Sequence, residues 1–597
     1  MNDRTNSWSG KLLSKGGKEV QIKSIAQATP TYVMSCYLLP QGITKKLSSA
    51  ISKFWWSTKA NNRGLHLVAW DKICVPLECG GLGFRDFHDF NLALLAKQMW
   101  RLLKYPHSLL ARVLKGRYYR HSSPMMINSA SNPSYGWRSI IAARPVLQQG
   151  LRKKIGNGHA TKVWEDPWLP VTPARPARAK DLHWDPELRV HHLIDFASQT
   201  WNLEMLKEFV DAADIPAIIS LRISRTGRPD CLCWDFTKSG LYTVKSGYEV
   251  AHGIITRSVV PLSLEPSTTA LKKAIWKVKV PRKLKHFLWQ ATSGFLATST
   301  QLKQRHCTQD SSCPRCGADE ETINHTLFLC PLALQCWALS TVPSPPGIFP
   351  CQSLYENINY LLHRAKERGV DPTRLEAFPW TAWYIWKARN EKTFNGKDIA
   401  PDDTVQFAQK EAESWKLAQI ITEITETQTE DRPVQAMTLQ NSTIQKWRCQ
   451  VDASWKSTTE ATGLGFVLLK DDAPTLFGVK GDIKTSSPLH AEAEGMLWAM
   501  QELLTAGWRE VHLESDCEQL VKLVHLEEEW PALAVELDEI KALCNDFRSC
   551  SISFIPRSEN VRADHLAKGA RSREINSDFV SGLAPSWLAI ETGLTGA

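Results

Sequence analysis

"WRCQVDAS", residues 447–454, reads as a β-strand running out into a turn, yet its interior carries a carboxylate, Asp452. Aspartate is depleted in strands, because a short charged side chain neither packs on the pleated surface nor leaves water cheaply. Working outward, "TGLGFVLLK" (462–470) and "TLFGVKGDI" (475–483) have strand length and composition, with turn residues between them. "LHAEAEGMLWAMQELLTAG" (489–507) switches to helical spacing, placing Ala493, Met496, Leu497, Met500 and Leu504 on one face and Gly507 just past the end. "REVHLESD" (509–516) is a fourth strand, followed by helices "CEQLVKLVHL" and "ALAVELDEIKALCNDF". Strand "SISFIP" (551–556) and helix "ENVRADHLAKGAR" (559–571) close the segment. The order β-β-β-α-β-α-α-β-α predicts a mixed five-stranded sheet covered by helices.

This order gives Asp452 partners. Glu492 falls in the first turn of the first long helix, Asp516 ends the fourth strand, and Asp564 lies near the start of the last helix. Each has an ordinary alternative. Asp516 and Gln519 have capping-box spacing, Glu492 complements a helix dipole, and Asp564 with Lys568 forms an i,i+4 pair. Together they predict a carboxylate cluster that needs an external cation. All-oxygen ligands suit Mg²⁺ or Mn²⁺. Two such ions about 4 Å apart activate water and stabilise the leaving oxygen in phosphodiester hydrolysis.

The segment 446–571 resembles the type 1 ribonuclease H fold, specifically the plant RNase H-like domain, through "VDAS", "HAEAEGMLWAM", "VHLESDCEQLV" and "ENVRADHLAKGA". The resemblance implies a catalytic, metal-binding tetrad at Asp452, Glu492, Asp516 and Asp564, with Glu492 fitting the motif better than Glu494. It implies metal-dependent hydrolysis of the RNA strand of an RNA–DNA hybrid. The family often has a histidine ten residues before the last aspartate, which aids turnover; Phe554 stands there.

A second cluster has different chemistry. "CPRCGADEETINHTLFLC" spaces Cys313, Cys316, His325 and Cys330 as C-x2-C-x8-H-x4-C. Three thiolates and an imidazole complete a closed tetrahedral shell and predict one structural Zn²⁺. His306 and Cys307 lie near enough to compete as ligands, and Cys336 could replace Cys330. The surrounding "IWKVKVPRKLKHFLWQA" and "CPLALQCW" resemble the zinc-binding region of plant LINE-type (non-LTR) retrotransposon reverse transcriptases. "GNGHATKVWEDPWLP", "LYTVKSGYEVA", "WYIWKARNEKTFNG" and the basic N-terminal part resemble the same proteins downstream of the polymerase palm. The Asp-Asp pairs, in "KDDAP" and "PDDTV", sit in turn-like contexts, so no DNA synthesis is expected.

The fold class expected is multidomain α+β, with largely helical N-terminal and zinc-binding regions before the α/β RNase H-like domain. The expected boundaries are a basic helical region at 1–125, a mixed connection region at 126–265, a zinc-binding domain at 270–340, a helical region at 341–420, a linker at 421–445 and the RNase H-like domain at 446–575. "KVWEDPWLP" and "LYTVKSGY" are strand candidates in the connection region. "NLALLAKQMWRLLKY" reads as an amphipathic helix after the glycine turn "ECGGLGF".

Composition, at 43% hydrophobic and 22% charged over 597 residues, excludes wholesale disorder. No uncharged apolar run reaches the roughly 18 residues of a membrane helix, and no signal-peptide core is seen, so an intracellular site (nucleus or cytoplasm) is expected. Charge is asymmetric. Residues 1–120 hold 19 Lys/Arg against 6 Asp/Glu, and residues 447–571 hold 13 against 21. The basic front, with "KVKVPRKLKH" at 277–286, is expected to contact phosphates of an RNA–DNA hybrid or other nucleic acid. Two functions follow: a hybrid-specific ribonuclease, or a non-catalytic nucleic-acid-binding retroelement remnant.

Overall fold

The computed structural model describes residues 13–57, 66, 68–127, 132–180, 185–253, 268–430, 447–526, 528–573 and 578–585. The chain forms two compact units, each discontinuous in sequence: 1–95 with 251–436, and 96–250 with 437–597. Among the described residues no helix is long and apolar enough to cross a membrane.

In the C-terminal part of the second unit, from residue 447 on, the strands are β1 (Trp447–Ser454), β2 (Thr462–Lys470), β3 (Ala473–Ile483), β4 (Glu510–Ser515), β5 (Ser549–Phe554) and β6 (Phe579–Ser581). The helices are α1 (Pro488–Thr505), α2 (Glu518–His525), α3 (Ala534–Asp546) and α4 (Val561–Ser572). The sheet runs β6-β3-β2-β1-β4-β5. β1 pairs antiparallel with β2 and parallel with β4, so the sheet is mixed, as an RNase H-like α/β domain requires. β6, three residues long, is an edge strand added to the five expected.

β2 reads as an unbroken apolar run because both its faces are covered. Leu464, Phe466 and Leu468 pack with Met496, Leu497 and Met500 of α1, whereas Val467 and Leu469 join Leu566 and Ala570 of α4. Burying Phe466 alone contributes roughly 1.5–3 kcal/mol. A Cβ on Gly465 would meet the Ala567 nitrogen at 2.6 Å, so glycine lets α4 lie directly on the strand. The β2–β3 hairpin turns on Asp471 and Asp472 at φ 46° and 69°. Positive φ at both central residues matches the twist of a two-residue hairpin.

The connection region departs from expectation. "KVWEDPWLP" contributes an isolated bridge at Lys162 rather than a strand, since Asp166 accepts the Lys162 backbone N–H at 2.8 Å and turns the chain. "LYTVKSGY" becomes a helix, Val244–Ala251. The Thr243 hydroxyl accepts the Ser246 N–H at 3.1 Å, and such a cap outweighs local β-propensity. The strands here are Leu151–Lys154 with Cys231–Trp234, and Ile194–Asp195 with Thr200–Trp201. Charge pairs tie this region to the sheet domain: Lys154 to Glu536 at 3.0 Å, Arg228 to Asp538, and Arg222 to both Glu494 and Glu539.

The first unit is mainly helical. Phe287, Leu288, Leu327, Phe328, Trp337 and Phe349 centre its core. The Trp-rich helix runs Phe378–Asn395 and ends on Gly396 at φ 69°, a left-handed C-cap. Its Arg389 reaches the buried Glu321 with two bonds, at 2.7 and 2.5 Å. Breaking such a pair costs about 3–5 kcal/mol. The next helix, Pro401–Glu430, makes the first ten residues of the expected linker helical, while 431–446 lie outside the described residues.

Candidate metal centres

The parallel register sets Val451 beside Ser515, so Asp452 and Asp516 follow at the same end of adjacent strands. α1 crosses β1 closely enough that a Cβ on Gly495 would touch Val451 Cγ1 at 3.4 Å, which brings Glu492 over the strand end. Carboxylate oxygens of Asp452, Glu492 and Asp516 lie within 4.8 Å of one another. Asp516 does not cap α2; the N-cap is Cys517, without a side-chain bond. Glu494, two residues from Glu492, is instead paired with Arg222.

Asp564 stands outside this tight trio, buried and held by Lys568 at 2.6 Å and Arg557 at 3.2 Å. Its charge nevertheless reaches Asp452. Burial, then the charges of Asp516 and Asp564, push the Asp452 carboxyl up to about 7. Glu492 is also raised, by burial first and by Asp452 and Asp516 second, while the Ala453 backbone N–H pulls the other way.

The trio fits a hard cation. Glu492 Oε2 is shielded from water with no hydrogen-bond partner. Among the described residues no Lys or Arg pairs with Asp452, Glu492 or Asp516. An all-oxygen donor set of this kind suits Mg²⁺ or Mn²⁺.

Asn560 was not legible as a site residue. It precedes α4, where it reads as a simple cap, but no side-chain cap bond forms. Its buried amide donates to the Val451 carbonyl at 3.0 Å and lies 3.5 Å from Asp452 Oδ1, fixing the strand end that carries Asp452. Phe554 closes β5 opposite Ser515 and is 46% exposed.

In the first unit, Cys313, Cys316, His325 and Cys330 bring their ligand atoms within 4.8 Å. A tight turn builds the knuckle: Gly317 donates its N–H to the Cys313 carbonyl at 2.9 Å and sits at φ 77°. The π-helical turn His325–Leu329 aims the imidazole at the knuckle, with Nε2 3.2 Å from Cys316 Sγ. The Cys330 thiol beside it, together with burial, pushes the Cys313 thiol up to about 12, and the same pairing lowers Cys330. Two of the competing cysteines face other partners. Cys336 is buried facing the Pro401 carbonyl, and Cys307 is exposed near Arg305. Three sulfurs and a nitrogen fit Zn²⁺.

The expected phosphate-binding residues at 277–286 are partly committed within the protein. Arg282 and His286 bind Glu19, and Lys285 donates to the Trp276 carbonyl at 3.0 Å. Front lysines are committed too: Lys15 to the Trp55 carbonyl and Lys18 to the Phe54 carbonyl.

Residues 450–570 match the family described as reverse transcriptase-like, and residues 242–337 the one described as zinc-binding in reverse transcriptase. An uncharacterized mitochondrial protein of Arabidopsis thaliana is 51% identical over 143 residues, 24% of this chain and 93% of that protein. The chain belongs to that plant protein's family. This family member joins a reverse-transcriptase-type zinc-binding region to an RNase H-like domain. Another Arabidopsis thaliana protein, described as "Putative ribonuclease H protein", is 28% identical over 428 residues, 69% of this chain. The chain spans 65% of that relative's length. Among solved structures, a ribonuclease H1 of the archaeon Halobacterium salinarum is 22% identical, covering 21% of this chain and 98% of its own, with TM-score 0.20. LC11 ribonuclease H1, solved in complex with an RNA/DNA hybrid, is 20% identical over 22% of this chain and 99% of its own, with TM-score 0.21.

Proposed function

We propose that the chain is a metal-dependent endoribonuclease that hydrolyses the RNA strand of RNA–DNA hybrids, and that it derives from a plant LINE-type retroelement. The observation that carries this is the convergence of Asp452, Glu492 and Asp516 from three elements, with Glu492 Oε2 left without a partner. Asp452, Glu492, Asp516 and Asp564 would hold Mg²⁺, which supplies water activation and neutralises charge at the scissile phosphate.

The chain's own groups prepare that place. Mutual repulsion among the carboxylates makes the site take up cations rather than anions. Asn560 holds the strand end that orients Asp452. Lys568 and Arg557 keep Asp564 to one side, where its charge adds to the field without crowding the trio. Cys313, Cys316, His325 and Cys330 would hold Zn²⁺ as a structural tie.

Phe554 favours a second reading, a nucleic-acid-binding remnant without turnover, because its position is one where the resemblance implies a helpful histidine. One experiment separates the two. Purified full chain is incubated with an RNA–DNA hybrid labelled on the RNA strand, with and without Mg²⁺. Magnesium-dependent cutting supports the nuclease; binding with no cutting supports the remnant.

A further inference from the structure

Residues 90–164 contain no aspartate or glutamate and thirteen Lys/Arg. The structure divides these cations sharply. Arg152, Lys153, Lys154 and Lys162 each pair with a carboxylate supplied from outside the run. Arg112, Lys115, Arg117, Arg120 and Arg138 are exposed and have no carboxylate partner among the described residues.

These five gather on one piece of local structure. Helices Leu109–Tyr118 and Tyr135–Ala142 are joined by Tyr118 stacked on Trp137, with ring centroids 4.9 Å apart and planes within 11°. Tyr119 stacks on the same indole at 5.5 Å, and the Ser134 N–H binds the Tyr118 hydroxyl at 3.1 Å. Arg117 lies over the Tyr118 ring and Arg138 over Tyr135. Guanidiniums stacked on aromatic rings are pre-ordered, so they lose little freedom when they meet a phosphate.

We propose that this surface, Arg112–Arg120 with Arg138, is the phosphate-binding face that holds nucleic acid for the RNase H-like domain of the same compact unit. The partner is the sugar-phosphate backbone of an RNA–DNA hybrid, held without reading of base sequence. The inference deepens the nuclease reading and rests on it for the choice of substrate. Charge complementarity supports the choice: residues 447–571 carry a net charge of −8, so a polyanion needs cations from elsewhere in the unit. The exposed Leu109, Leu110 and Val113 on the first helix would also suit an anionic membrane surface. The five unpaired cations around an aromatic stack, in the unit that carries the carboxylates, favour nucleic acid.

The test measures binding of full chain to a fluorescent hybrid across a salt series, without added Mg²⁺. The R112Q/R117Q/R120Q/R138Q variant should bind at least about tenfold more weakly near 0.1 M salt, with the log–log salt slope smaller by about 0.9 for each phosphate no longer neutralised. The matching lysine variant, R112K/R117K/R120K/R138K, should keep most of the slope. R364Q/K366Q/R368Q/K410Q, the same charge change at exposed residues of the other unit, should bind within about twofold of the parent. Equal slopes for parent and glutamine variant would overturn the proposal. So would an equal loss in the control, loss of slope in the lysine variant, or an effect confined to phosphatidylserine vesicles. A chain that binds through these arginines but never cuts would defeat the nuclease reading and leave this face standing.

Discussion

The two candidate metal centres are built on opposite principles. The Cys313–Cys330 cluster is local: its four residues span one knuckle and one helical turn, and its soft sulfurs would close around a Zn²⁺. The carboxylate trio is long-range. It draws on β1, α1 and the end of β4, and the sheet register sets Asp452 beside Asp516. A centre of the first kind lends its binding energy to folding, whereas the second kind takes its geometry from a fold already made. Loss of metal should therefore have opposite consequences at the two places.

The largest effect should come from the carboxylates. Asp452→Asn or Asp516→Asn keeps volume but removes a negative ligand, and hybrid cleavage should fall by about a thousandfold or more, as loss of several kcal/mol of charge stabilisation implies. Circular dichroism and the melting temperature should show an intact fold. Parental cleavage rates in both variants would break the comparison at once. Next, Cys313→Ser should release one zinc per chain, measurable by elemental analysis. It should open residues 300–340 to protease while cleavage by the RNase H-like domain continues. A variant that keeps its zinc, or a zinc-depleted chain with unchanged protease resistance, would remove the structural role.

Asp564→Asn sharpens the boundary of the trio. Because Asp564 lies outside the tight group and is paired with Lys568 and Arg557, its loss should cost about ten- to a hundredfold in cleavage, less than Asp452. An effect as large as that of Asp452→Asn would make it an equal ligand. The smallest effect belongs to Glu494→Gln. Cleavage should stay within about twofold of the parent, and stability should fall by about 1 kcal/mol through loss of the partly buried Arg222 pair. Loss of cleavage in a stably folded Glu494→Gln chain would reverse the choice between the two glutamates.

Much of the sheet domain was readable because its strands and helices carry clean periods and because Asp452 breaks one of them. The preference for Glu492 over Glu494 came from the motif that the resemblance supplies, and α1 sends the two side chains to different partners. In the connection region, "LYTVKSGY" has strand composition, but the Thr243 hydroxyl starts a helix, and side-chain capping leaves no periodic trace. The role of Asn560 depends on a bond to Val451, 109 positions away, which only the assembled sheet reveals. Charge counts along the front likewise could not tell Lys18, committed to backbone carbonyls, from Arg117, which faces outward.

The ion pairs between the connection region and the sheet domain bear on modularity. Glu536 and Glu539 are buried, 4% and 3% exposed, beneath Lys154 and Arg222. A fragment cut near residue 446 would keep both acids and discard both bases, leaving an anionic scar on α3. A sheet domain moved without Lys154 and Arg222 would need new cations there, or neutral residues in place of Glu536 and Glu539.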